Sequence, residues 1–121
     1  MKKRHCERFS IPGTTLYYKN RPGIFIKPVY PETYFPVLNL SRGGVSFVCN
    51  ERIKPGKKIL VKIEIPGVDQ PAELFATIRW ISRNREQSYK YQLGAAFNSY
   101  GTGKKENSPD ILSLFKSLEP Q

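Results

Sequence analysis

Lys58-Ile59-Leu60-Val61-Lys62-Ile63-Glu64-Ile65 sets isoleucine or valine at every second position from 59 to 65, with lysine and glutamate at 58, 62 and 64. Successive side chains of a strand point to opposite faces, so this octet reads as a strand with one buried and one wet face. Pro55-Gly56 precedes it and Pro66-Gly67 follows it, and both pairs suit tight turns. The same grammar continues outward. Runs rich in β-branched and aromatic residues lie at Thr14 to Lys19, Tyr34 to Leu40 and Gly44 to Cys49 on one side, and at Ala72 to Ile81 and Tyr89 to Phe97 on the other. Gly23 to Lys27 is a candidate for one more short extended piece. Six strands at this spacing predict a small antiparallel barrel or sandwich.

The ends differ from this middle. Residues 2 to 8, Lys-Lys-Arg-His-Cys-Glu-Arg, carry four positive charges against one negative and no apolar period, so they read as a mobile basic arm. Near the other end, Ser108-Pro109-Asp110 supplies an N-cap, a proline for the first helical position and an acid in the first turn. Ile111, Leu114, Phe115 and Leu118 follow at helical spacing and predict a helix that docks by one face. The expected organisation is one domain over 1–121, with an arm at 1–12, a barrel at 13–98 and a helix at 108–118.

Twenty Lys and Arg against ten Asp and Glu leave 121 residues with a net charge of +10, which points to anionic partners: nucleic acid, a nucleotide or an acidic membrane. The single histidine, His5, excludes any site needing two imidazoles, and no metal is expected. Cys6 and Cys49 cannot build a disulfide framework and are expected as thiols, Cys49 as a small core residue. No run approaches the roughly 20 apolar residues that span a bilayer, and polar residues follow Met1-Lys2-Lys3-Arg4 where a signal peptide needs an apolar stretch. A soluble, cytoplasmic protein is expected, without membrane insertion.

Two segments carry chemistry. Arg4 and Arg8 space two guanidinium groups four residues apart, and Asn39-Leu40-Ser41-Arg42-Gly43-Gly44 joins two predicted strands. Taken alone, the first is a solvated charge run and the second a hairpin turn. Together they resemble the PilZ domain family, whose signature is Arg-x-x-x-Arg on an N-terminal loop followed after the first strand by Asp/Asn-x-Ser-x-x-Gly. Arg4, Arg8, Asn39, Ser41 and Gly44 fill its five positions. The strand rhythm, the Pro55-Gly56 turn, Ala76 to Ile81 and Leu93-Gly94-Ala95-Ala96-Phe97 extend the resemblance over nearly the whole chain.

The resemblance implies a six-stranded antiparallel β-barrel with a C-terminal helix that binds cyclic di-GMP, needs no cofactor and performs no catalysis. The expected protein is a receptor that changes its surface on binding and signals through a protein partner, and the resemblance points to control of bacterial motility, biofilm or virulence. The residue types agree with such a ligand. Arginine offers a planar fork that pairs with phosphate, chelates guanine O6 and N7, or stacks on a base. Asn39 offers a carbonyl oxygen and an amide, and Ser41 a hydroxyl. Gly43 and Gly44 allow a positive φ or the close approach of a flat base. Lys2 and Lys3 would steer a dianion toward the arm, and Arg42 occupies a variable motif position.

Trp80, the only tryptophan, either fills the core or covers the ligand, since an indole can stack on guanine. Alternation over Ala76 to Ile81 sets it on one face with Ala76 and Ile78, which favours burial. Because the family draws ligand contacts from neighbouring strands, Trp80 is retained as a ligand-binding candidate. Two other readings compete: a PilZ-like adaptor that works without ligand, and a barrel that binds single-stranded nucleic acid through its charge and aromatic residues. An enzyme is the weakest class, because no nucleophile-base pair, metal cluster or P-loop is present in the sequence.

Overall fold

The computed structural model describes residues 7–20, 30–85 and 88–120, so the extended piece expected at 23–27 lies outside the described residues. Six strands form: β1 (Thr15–Asn20), β2 (Phe35–Leu40), β3 (Gly44–Cys49), β4 (Lys58–Glu64), β5 (Ala72–Arg83) and β6 (Tyr91–Phe97), followed by α1 (Pro109–Leu118). Every pairing is antiparallel, and the order β1-β2-β3-β6-β5-β4 closes into a barrel as β1 meets β4. Closure removes the open edges that six short strands would otherwise expose.

The turns follow directly from the dipeptides that mark them. Pro12-Gly13, Pro55-Gly56 and Pro66-Gly67 each set glycine at a φ between +86 and +93. In each, the next N–H donates back across the turn, as from Lys57 to Lys54 O at 3.1 Å and from Val68 to Ile65 O at 3.0 Å. Proline fixes the first central residue and glycine alone takes the left-handed second one without strain. These turns end strands where the alternation ends.

The barrel interior is filled by the inward residues of all six strands, among them Leu16, Phe47, Ile59, Ile63, Ile78 and Leu93, each fully enclosed. On β4 the alternation works as expected for Ile59, Val61 and Ile63, although Leu60 on the other face is buried as well. Cys49 closes β3 inside the core, where burial raises its thiol above the ordinary range and its Sγ contacts Glu51 O at 3.3 Å. Such a thiol stays protonated and inert.

Ser108 caps α1 by accepting from Asp110 N at 3.2 Å, and Pro109 opens the helix. Phe115 is fully buried, with its ring 5.9 Å from that of Phe97, and Ile111, Leu114 and Leu118 pack partly buried beside it. The segment before α1 is held by Asn107, only 2% exposed. Its Oδ1 accepts from Phe75 N at 2.7 Å, and its Nδ2 donates to Phe75 O and Asn98 O at 3.1 and 3.0 Å. Asn107→Ala removes all three of these hydrogen bonds at once and is expected to cost about 2 kcal/mol, read as a lower midpoint in denaturant unfolding.

Among the described residues, no helix is long and apolar enough to cross a membrane, and no group of three His, Cys, Asp or Glu could hold a metal ion.

Candidate ligand site on the outer barrel wall

Strand register builds the site. Asn39 pairs with Ser46, Ser46 with Gly94, and Gly94 with Trp80, so one crosswise row runs over β2, β3, β6 and β5. Asn39, Ser46 and Gly94 in this row face outward, since Leu40, Val45 and Leu93 beside them are buried inside. Its side chains are an amide, a hydroxyl, none and an indole. Gly44 and Ala96, themselves paired, form the adjacent outward row. The small residues in the middle leave a depression between taller side chains at either end.

Two bulges aim the ends of this row. The β2–β3 register shifts between Val37 and Asn39, and the β5–β6 register shifts between Ile78 and Trp80. Arg79 is the extra residue on β5, so the alternation that buries Ala76 and Ile78 is inverted beyond it. The burial that alternation favoured for Trp80 is therefore corrected: its side of the strand is outside, and it is 40% exposed. The indole lies over Gly94, where any Cβ would overlap its ring atoms. An aromatic ring on a cross-strand glycine seals backbone that would otherwise be bare.

The β2–β3 turn is shaped by Ser41. Its Oγ accepts from the N–H groups of Gly43 at 3.1 Å and Gly44 at 3.2 Å, while its own N–H donates to Gly44 O at 2.9 Å. Arg42 is turned away to Glu119, with Nε 2.7 Å from Oε2, and its carbonyl accepts from the Tyr100 hydroxyl at 2.6 Å. The motif turn is thus tied to the segments on both sides of α1.

Neither motif glycine has a positive φ. Gly44 is required for another reason: a Cβ there would overlap the Ala95 carbonyl oxygen on β6. The close approach expected at this turn is that of a neighbouring strand.

The arm reaches the site along β2. Phe9 exchanges both backbone hydrogen bonds with Leu40, each 2.8 Å, and buries its ring in the core, while Ser10 Oγ donates to Leu38 O at 3.0 Å. Arg8, next to this anchor, is exposed at the mouth of the depression. The resulting cavity, about 180 Å³, is lined by Arg8, Asn39, Ser41, Gly44, Ser46, Arg79, Trp80 and Gly94, with Gly43, Val45, Ala95 and Ala96. Arg8 and Arg79 have no ion-pair partner among the described residues, where the one side-chain ion pair is Arg42 with Glu119. The cavity is small beside the 300–1,000 Å³ that encloses a drug-sized ligand, so its volume suffices for only part of a molecule of that size.

Of the six residues singled out in the sequence, the structure gathers Arg8, Asn39, Ser41, Gly44 and Trp80 around one cavity, and Arg4 lies outside the described residues. Sequence reading missed Ser46, Arg79 and Gly94. The small run Gly94-Ala95-Ala96 was a signal for Gly94, because an unfilled outward position is what a neighbouring ring can cover. Ser46 and Arg79 gave none without the register.

A closed six-stranded barrel with a helix after it and an arm-and-turn site on its wall defines a ligand-binding or adaptor module. The PilZ domain family model matches residues 2–107, and the chain belongs to that family, a family of cyclic di-GMP receptors rather than enzymes. Among solved structures, the Bacillus subtilis inhibitor of motility (MotI/DgrA) is similar in fold, with a TM-score of 0.69 and 15% identity. The match covers 98% of this chain and 50% of that one, so this chain spans half the length of its structural neighbour. Comparison with curated proteins gives no match.

Proposed function

We propose that this protein is a cyclic di-GMP receptor that grips its ligand between the basic arm and the Asn39-to-Gly44 face. The observation that carries this reading is the convergence of Arg8, Asn39, Ser41 and Trp80 on one cavity with a small-residue floor. Each side chain has a task that suits a cyclic bis-guanylate. Arg8 and Arg79, without an ion-pair partner among the described residues, offer guanidinium forks to phosphate or to guanine O6 and N7. Asn39 meets a base edge, and the Trp80 indole offers a face for stacking. Arg4, four residues before Arg8, adds a second fork from the arm in the family's pattern. Arm, barrel and helix act together in this reading, over residues 1–12, 13–98 and 108–118.

The output proposed is a changed surface read by a protein partner in the cytoplasm. Ordering of an arm on its ligand creates such a surface, and the Arg42–Glu119 pair gives the motif turn a direct line to the end of α1. The motility inhibitor that shares the fold makes control of motility the first process to examine, with biofilm and virulence next.

As the only tryptophan, Trp80 reports on the site without a label. Titration with cyclic di-GMP is expected to change its emission saturably, and a spectrum unmoved at saturating ligand would remove Trp80 from the site. The same titration separates the nucleic-acid reading, which the exposed indole among arginines also favours. A strand-tracking groove loses affinity steeply with salt, whereas a compact dianion releases few counterions. Tighter binding of linear single-stranded RNA than of cyclic di-GMP, with a steep salt slope, would replace the receptor reading. A partner captured equally by wild type and Arg8→Ala, with or without ligand, would favour the ligand-independent adaptor.

A further inference from the structure

The cavity floor holds one polar group that the arm-and-turn motif leaves out. Ser46 is 6% exposed, stands between Asn39 and Gly94 in the crosswise row, and lines the cavity. Its Oγ is the one buried side-chain nitrogen or oxygen among the described residues with no hydrogen-bond partner. Strand formation does not ask for a hydroxyl here, since Ala96 serves an outward position of the same face. Buried polar groups are nearly always paired, because enclosing one unpaired is unfavourable. A hydroxyl left unpaired at the centre of a candidate site is therefore a group with its partner still to come.

We infer that Ser46 is a ligand-contacting residue, whose hydroxyl hydrogen-bonds the purine that rests on the Gly94 ledge. The inference rests on the receptor reading and adds to it a contact from the barrel wall. A hydroxyl both donates and accepts, so it serves guanine O6 or N7 as well as a ring N–H. It adds affinity, and the choice among purines stays with Asn39 and the arginines. The oxygen is enclosed, so an entering base must shift a neighbour. Trp80, 40% exposed on the strand beyond Gly94 and with no side-chain hydrogen bond among the described residues, is the side chain placed to shift.

The test is calorimetric titration of cyclic di-GMP into wild type, Ser46→Ala and Ser46→Cys, with thermal melts of the free proteins. Ser46→Ala is expected to bind about tenfold more weakly while melting at the same or a higher temperature, since it loses an unpaired group. Ser46→Cys, close in size but a weaker hydrogen-bonder, is expected to fall between the two. Wild-type affinity in both variants overturns the inference and leaves the receptor reading standing. A weaker affinity accompanied by a lower melting temperature also overturns it, because the hydroxyl would then serve the fold. Should Ser46→Ala not fold, the cysteine variant decides: weaker binding at unchanged melting temperature supports the contact, and equal binding refutes it. A wild type that takes up no cyclic di-GMP overturns both readings together.

Discussion

Arg8→Ala is expected to weaken cyclic di-GMP binding about ten- to a hundredfold without moving the melting temperature. The side chain is exposed at the mouth of the cavity, has no ion-pair partner among the described residues, and contributes nothing to the core. Removing it deprives the free protein of very little. In the complex it removes a charge-assisted hydrogen bond, about 1.5–3 kcal/mol, which is the range just given as a change in affinity. Arg8→Lys separates charge from shape: a point charge restores steering but not the planar fork, so only part of the loss should be recovered. Its neighbour Phe9 is the opposite case, buried and paired to Leu40, and must be left intact for the comparison to mean anything. Isothermal titration alongside thermal melts checks both halves. A variant that binds as wild type does would take Arg8 out of the grip.

Gly44→Val is expected to cost about 3 kcal/mol or more of stability, and binding with it. Even a Cβ at this position meets the Ala95 carbonyl oxygen, which belongs to backbone and cannot rotate away. The β3–β6 pairing must open locally, at the strand pair that carries Ser46 and Gly94. Overpacking a tight site costs about 1–3 kcal/mol, and the β-branched valine takes it toward or past the upper end. Urea unfolding measures the difference. A Gly44→Val protein as stable as wild type would show that the strand can yield there.

These two residues also show how far the sequence could be read. Gly44 was legible as a special position, but its reason was not. Its closest neighbour is Ala95, about fifty residues along the chain, and only the register reveals that approach. Strands with clean alternation, such as β4, and turns with Pro-Gly pairs were legible because their causes are local. Trp80 was not, because one extra residue at Arg79 inverts the alternation and an inserted arginine looks like any strand residue. Arg8, Asn39, Ser41 and Trp80 could be proposed as a set only through the resemblance to the PilZ family, since taken alone the arginines read as a solvated charge run and the Asn39-to-Gly44 segment as a hairpin turn. Ser46 and Gly94 enter only through pairing across strands, and Asn107 reads as one more polar loop residue until its three hydrogen bonds are seen.

Whether this barrel wall holds a cyclic bis-guanylate decides between a receptor and a ligand-independent adaptor. Titrating cyclic di-GMP into the wild-type protein by calorimetry asks that directly. Saturable heat with a defined stoichiometry, reduced in Arg8→Ala, is the expected result. No heat up to high micromolar ligand, from protein shown to be folded by its melt, would contradict it.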